Sequence, residues 1–438
     1  MTRVPPGPVG ETIPPRKQAA ARHYGSHQYY TKRAWNVVRA YIAHFTAPGE
    51  TVLDPFGGSG VTAIEALALG RRAVHVDVCP FSTFLARQVA RAPVDLDGLE
   101  VAYRGVEAAC RPELEAWAAL PDGEAARLEP RDWFPRHVSL PPDGDVARVE
   151  DLFSPRQLAS LARLLAAVEA VADPVARDLL RYAFSATLYK CNRTFLSVPT
   201  RAASRGGSAI FSLYRYKVAR RPVELPVFHQ FSLRFRKLLA CKADTNREIG
   251  ASGGLVCALA SATSLPLADA SIDYAFTDPP YGGHIAYLDL GTLFHAWLRL
   301  DVPAAARRLE AIEGGRLDLD RAHYVSTLHA SAREIARVLR PGRWASVVYA
   351  HRDLAYWQAL VDAFESAGLH LVATIPQPLS VVWSMRKKKN PGTALAGEVI
   401  LSFAKDGARR ARAAGAARDA HRAILALQEG ITGPSGGR

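Results

Sequence analysis

Cysteine is scarce in these 438 residues. The five (Cys79, Cys110, Cys191, Cys241, Cys257) are odd in number, scattered, and form no Cys-x-x-Cys pair. That argues against a disulfide framework and a zinc ribbon, predicts no metal site, and fits buried thiols in a reducing cytoplasm. No uninterrupted apolar run reaches membrane-spanning length, and the first residues are proline-rich and polar without a signal-peptide core, so no membrane is expected. No Gly-Lys-Ser/Thr is present, which excludes a P-loop. There are no internal repeats. Acids nearly vanish from one long stretch. Between Arg181 and Arg247 fourteen Lys or Arg face only Glu224 and Asp244, a local net charge of +12 against +13 for the whole chain.

Half the residues are hydrophobic, so a sizeable core is expected, either as one large domain with an insertion or as two domains. Residues 1–25 (Pro5, Pro6, Pro8, Pro14, Pro15, then basic) read as a flexible arm. A helix carrying Trp35, Val38, Ile42 and Phe45 on one stripe follows. Thr51-Val-Leu-Asp54 then reads as a buried strand, Gly57-Gly58-Ser59-Gly60 as a tight turn, and Val61 to Leu69 as a helix closed by Gly70. Ala73-Val-His-Val-Asp77 is a second strand, ending in an acid twenty-three residues after Asp54. This is half of a nucleotide-binding unit, but the glycine turn lacks the Gly-x-Gly-x-x-Gly of a dinucleotide site. An acid leading into the glycines suits a cationic ligand without phosphates, and S-adenosylmethionine carries an ammonium, a sulfonium and a ribose. In that reading Asp77 takes the ribose hydroxyls, the backbone from Phe56 to Gly60 lines the methionine portion, and Asp54 serves the ammonium side.

From Pro93 the regular alternation stops until about Gly250. Ser154 and Pro155 open one helix and Val175 to Tyr189 forms another; a connection this long reads as an inserted region rather than a loop. The +12 stretch lies inside it, interleaved with Tyr182, Phe184, Tyr189, Phe195, Phe211, Tyr214, Tyr216, Phe228, Phe231 and Phe235. Cations with stackable rings point to a polyanion, most simply nucleic acid. Arg193, Arg201, Arg205, Arg215, Lys217, Arg220 and Arg221 are the candidate contacts, joined by Arg386, Lys387 and Lys388 of a later basic run. Strands resume at Leu255–Leu259 and Ile272–Thr277, followed by Trp344–Tyr349 and a closing hairpin of Leu369–Ile375 with Glu398–Phe403. The tail from Lys405 is Ala/Arg-rich, with a Gly/Pro/Ser end that reads as disordered.

The second anchor is Thr277-Asp278-Pro279-Pro280-Tyr281-Gly282-Gly283, between a strand and a helical pattern. That is where open α/β sheets place ligands. Paired prolines hold the backbone extended and leave their carbonyls free to accept. Asp278 and the Pro279 carbonyl can then converge on one amino group, with the Tyr281 ring as a stacking wall. Together, Asp54-Pro-Phe-Gly-Gly-Ser-Gly60 and Thr277-Asp-Pro-Pro-Tyr-Gly282 resemble the cofactor and catalytic motifs of the amino-group (N4-cytosine/N6-adenine) DNA methyltransferases. The resemblance covers roughly residues 24–92 and 254–404, including Ser264-Leu-Pro-Leu-Ala-Asp269, Tyr287-Leu-Asp-Leu290 and Leu339-Arg-Pro-Gly342.

The resemblance implies a Rossmann-like α/β fold with a mostly parallel seven-stranded sheet, split into residues 26–94 and 251–404 around a largely helical, basic insert at 95–250, with a basic tail at 405–438. It implies S-adenosylmethionine as cofactor, held by Thr31, Asp54, Phe56, Gly57, Gly58, Ser59, Gly60, Asp77, Val78 and Ser261. Asp278, Pro279, Pro280 and Tyr281 become the catalytic set, DNA with a flipped target base the substrate, and a restriction or defence partner a family habit. Ser261 stands where the family usually has an acid. Asp rather than Ser before Pro-Pro-Tyr favours adenine N6 over cytosine N4. The Asp-Pro-Pro-Tyr loop also resembles that of tRNA guanine-N2 methyltransferases, whose motifs are closer together and whose N-terminal RNA-binding domain has no room in residues 1–30. A catalytically silent nucleic-acid-binding subunit is the non-enzymatic alternative, although both motifs are chemically complete.

Overall fold

The computed structural model describes residues 7–16, 23–196, 206–250, 254–378 and 397–405. Short runs of Val, Leu, Ala and aromatic residues form seven strands: β1 (Thr51–Asp54), β2 (Arg72–Asp77), β3 (Leu255–Leu259), β4 (Ile272–Thr277), β5 (Leu339–Tyr349), β6 (His370–Pro378) and β7 (Gly397–Ala404). They lie side by side in the order β3-β2-β1-β4-β5-β7-β6. The first five are parallel, and β7 inserts antiparallel between β5 and β6. This is the mostly parallel, seven-stranded Rossmann-like sheet that the motifs implied. The chain builds outward from β1 to β3, then returns to the other side of β1 with β4. The switch point therefore falls between β1 and β4, where crossover loops diverge and leave a crevice.

Alternation along the strands sorts the two faces. Val52, Ala73, Tyr274, Phe276, Trp344 and Val348 face one core, while Leu53, Val74, Val76, Ile272, Ala275, Ala345, Val347 and Tyr349 face the other. The second face is covered by α9 (Arg321–Val338) and α10 (Leu354–Ser366). The first is covered by α1 (Trp35–Phe45), where Phe45 stacks on Tyr274 at 4.9 Å, and by α2 (Val61–Ala68) and α3 (Pro80–Ala90). The arm expected to be flexible lies along α1 at residues 7–16. There Asn36 Nδ2 donates to the Pro14 carbonyl at 2.9 Å, and the Arg16 amide donates to Asn36 Oδ1 at 2.8 Å.

The insert is helical: α4 (Leu96–Ala119), α5 (Pro155–Glu169), α6 (Pro174–Leu188) and α7 (Val227–Glu248). The expected start at Ser154 is a full capping box with Gln157. Two long helices, α4 and α7, are additions to the sequence reading. Each buries a helical-period stripe, Leu99, Val106, Cys110 and Leu114 in one, Phe228, Phe231, Phe235 and Leu238 in the other. These stripes share one continuous core with the first sheet face. Lys242 of α7 makes the join polar as well: fully buried, its Nζ donates to the carbonyls of Gln88, Val89 and Arg91 at 2.7, 2.8 and 2.8 Å, closing the C-terminus of α3. α8 (Thr292–Leu298) packs against α3 and α6. Among the described residues no helix is long and apolar enough to cross a membrane, and no group of three or more His, Cys, Asp or Glu is placed to hold a metal ion.

Candidate active site

The pocket opens at the switch point, and the two motif acids meet beneath it. Asp54 ends β1 with its carboxylate wholly engaged: Thr62 Oγ1 donates to Oδ2 at 2.7 Å, Thr277 Oγ1 to Oδ1 at 2.9 Å, and the Phe56 amide to Oδ1 at 3.2 Å. The Thr277 bond ties the cofactor motif to the last residue of β4. Burial pushes the Asp54 carboxyl up to about 7 against these three hydrogen bonds. Asp77, at the end of β2, accepts the Gly58 amide on Oδ2 and the Cys79 amide on Oδ1, both at 2.8 Å, and burial raises it to about 6. Each Asp77 oxygen keeps a second lone-pair direction for a ligand hydroxyl.

The glycines are required by close approach. A Cβ on Gly57 would lie 2.1 Å from the His75 ring, and one on Gly60 would lie 2.8 Å from Ala86 Cβ. Gly60, with φ of 82°, caps α2 and allows α2 and α3 to pack. Thr31, Asp54, Phe56, Gly57, Gly58, Ser59, Asp77 and Val78 all line the pocket, whose empty volume is about 790 Å³ including its mouth. Two of the expected cofactor residues, Gly60 and Ser261, do not line it, nor do Pro279 and Tyr281 of the catalytic set. Gly60 serves helix packing instead, and Ser261 turns its hydroxyl to Thr263 at 2.8 Å while its neighbour Ala262 forms the wall.

Asp278 and Pro280 close the other end of the pocket. Tyr324 Oη donates to the Pro280 carbonyl at 2.8 Å and receives Tyr349 Oη at 2.7 Å, which fixes the loop from below. Among the described residues none donates to the Pro279 carbonyl. The Tyr281 ring packs edge-on against Tyr349 with centroids 5.1 Å apart, and its Oη donates to Asp278 Oδ1 at 2.5 Å. Arg33 Nε meets Asp278 Oδ2 at 2.5 Å, and the Arg33 guanidinium also pairs with Glu398 on β7. Asp278 is held above the usual carboxylate range by burial; the Arg33 charge works against that.

Sequence reasoning missed Arg33, Glu398 and the pocket residue Glu310. Glu310 accepts the Leu288 amide at 3.0 Å, and burial pushes it up to about 8. Its only sequence signal is an acid beside the apolar Ala311-Ile312 pair. Arg33 and Glu398 gain meaning only from a contact spanning 365 residues.

The expected nucleic-acid surface divides. Lys217, Arg220 and Arg221 are exposed. Arg215 is exposed but paired with Asp143 at 3.3 Å, and Arg193 donates to the Asp151 carbonyl at 3.2 Å. Arg201, Arg205, Arg386, Lys387 and Lys388 lie outside the described residues. The interleaved rings are not a stacking surface. Tyr182, Phe184, Tyr189, Phe195, Phe211, Tyr216, Phe228, Phe231 and Phe235 are all buried in the core, as are Lys190, Arg234 and Lys242. The helical period that buries those rings also draws part of the positive charge inward.

Residues 12–81 match the family described as DNA methylase. A 70-residue stretch is 27% identical to the type II methyltransferase M.MjaII of Methanocaldococcus jannaschii, covering 16% of this chain and 13% of that protein. The chain thus spans about an eighth of the length of that relative. Among solved structures, a geranyl diphosphate methyltransferase in complex with GPP and sinefungin is 7% identical with a TM-score of 0.33, covering 85% of this chain and 79% of that one. A SAM-dependent methyltransferase from Methanosarcina mazei is 9% identical with a TM-score of 0.31, covering 83% and 96%.

Proposed function

We propose, for a chain whose residues 12–81 match the DNA methylase family, an enzyme that moves a methyl group from S-adenosylmethionine to the exocyclic amine of a DNA base, adenine N6 in preference to cytosine N4. The observation that carries this reading is the junction of the two motifs in one crevice: Asp54 bonded to Thr277, and Asp278 lining the same pocket as Asp77.

The pocket's chemistry fits the cofactor. Four carboxylates line it (Asp54, Asp77, Asp278, Glu310) with the cations Lys32 and Arg33, a set suited to a positively charged ligand with one carboxylate and no phosphates. Asp77 holds the ribose hydroxyls, the Phe56–Ser59 backbone approaches the methionine portion, and Thr31 and Val78 complete the walls. When bound, the cofactor supplies an electrophilic methyl group on a sulfonium.

An exocyclic amine is a weak nucleophile because its lone pair is delocalised into the ring. Asp278 and the Pro279 carbonyl accept its two N–H bonds, return electron density to the nitrogen and aim it at the cofactor end of the pocket. A base within a duplex cannot enter this crevice, so the target is flipped out and the Tyr281 ring replaces the lost stacking. Lys217, Arg220 and Arg221 supply phosphate contacts.

Incubation with methyl-labelled S-adenosylmethionine and either duplex DNA or total RNA, followed by nucleoside digestion and mass identification, tests the reading. N6-methyldeoxyadenosine is the expected product. N4-methyldeoxycytidine would reassign the base, and N2-methylguanosine in RNA alone would overturn the DNA assignment.

A further inference from the structure

The amine site of the free protein is already filled. Arg33 Nε pairs with Asp278 Oδ2 as an ion pair at 2.5 Å and Tyr281 Oη donates to Oδ1 at the same distance, so each carboxylate oxygen already faces a partner from the chain itself. The Arg33 guanidinium also lies over the Tyr281 ring, 6.0 Å from its centroid. One side chain therefore covers both features that the acceptor needs, the carboxylate and a ring face. A guanidinium is planar and presents N–H donors, the same donor type as an exocyclic amine. Arg33 has a second carboxylate, Glu398 on β7, at its other end. The three side chains are 16%, 20% and 21% exposed, sheltered enough that none is stable without a partner.

Resting on the reading above, we propose that Arg33 is a placeholder for the acceptor amine: it closes Asp278 in the free protein and must pass to Glu398 before the amine can bond that carboxylate. Glu398 keeps the guanidinium paired as it leaves, so the exchange proceeds without an isolated buried charge. Asp278 in turn is never left empty, which would be costly at this depth. Substrate then binds only the open fraction of molecules, and its apparent affinity falls by that fraction. Arg33 acts through Asp278 and is a positioning residue. Besides Arg33, the groups acting on Asp278 are Glu398 and Tyr281, and Asp278 in turn acts on Tyr287 and Asp54.

The test is a double-mutant cycle on the full chain. Glu398→Gln weakens the second keeper, and the nucleic-acid KM should rise about tenfold, the usual scale for losing a charged hydrogen-bond partner. In the Arg33→Gln background the same change should have no effect on KM. A Glu398→Gln penalty of equal size with and without Arg33 overturns the proposal. A second readout needs no methyl transfer: the Asp278 carboxyl titrated by ¹³C NMR in substrate-free protein. Arg33→Gln should move its midpoint up, Glu398→Gln down, and Arg33→Lys should leave it near the parent value. An Asp278 midpoint unmoved in both Gln variants refutes the placeholder even if the enzyme methylates DNA. Shifted midpoints in a protein that transfers no methyl group support the placeholder and sink only the methyltransferase reading.

Discussion

Asp54 and Asp278 stand at the ends of neighbouring strands, lie in one pocket, and both have each carboxylate oxygen engaged, yet their partners differ in kind. Asp54 is held by Thr62 at the start of α2, Thr277 at the end of β4 and the Phe56 amide, all short and fixed by their elements. Asp278 is held by the long side chain of Arg33, reaching in from before α1, and by the Tyr281 hydroxyl. Short, fixed donors make a structural acid, whose carboxylate is part of the frame. Donors at the tips of long side chains can leave, and an acid held that way can exchange one amine-like partner for another.

The sharpest way to break this comparison is to remove each acid in turn. Asp278→Ala should lower methyl transfer by about 10²–10³-fold or more, the range for removing one preorganised group, with cofactor binding and melting temperature close to the parent. Asp54→Ala should instead lower stability by about 3 kcal/mol, because two threonine hydroxyls and an amide lose a buried partner. Thermal melts alongside cofactor titration separate the two. Next in size, Lys242→Met should cost about 2–3 kcal/mol by leaving the Gln88, Val89 and Arg91 carbonyls at the end of α3 without their donor. A denaturant midpoint shift without a separate second transition would show that the insert and the sheet unfold as one core. Smaller again, Tyr281→Phe should keep the acceptor stacking and most activity, whereas Tyr281→Ala should lose about 1–3 kcal/mol of acceptor binding.

The smallest effect is in the pH dependence of stability. Asp54 and Asp77 have folded values raised to about 7 and about 6, above the ordinary carboxylate range. Between the unfolded and folded values the folded state binds more protons, so stability falls as pH rises from about 4 through 7. Asp54→Asn should flatten that slope, measured as melting temperature against pH.

The sheet was legible because most of its strands are short buried apolar runs, two of them ending in the acids Asp54 and Asp77, whereas the order of the strands is set by long-range pairing that no local pattern carries. Three of the four pocket acids were legible because Asp54, Asp77 and Asp278 each stand at a strand end. The insert was only half legible. Pro112 interrupts the pattern of α4, and cations fill the outer positions of α7, so neither buried stripe stands out from its local pattern. Local pattern cannot show whether an aromatic beside an arginine is exposed; Phe231 and Arg234 are both inside. Arg33, Glu310 and Glu398 carry no motif, and only the closing of the sheet brings them to the pocket.

The most direct test of the central claim compares parent and Asp278→Ala proteins with duplex DNA and methyl-labelled S-adenosylmethionine, after calorimetry has shown that both bind the cofactor. The account predicts label on a base amine from the parent and none above background from the variant at equal cofactor affinity. Equal labelling by both proteins would contradict it.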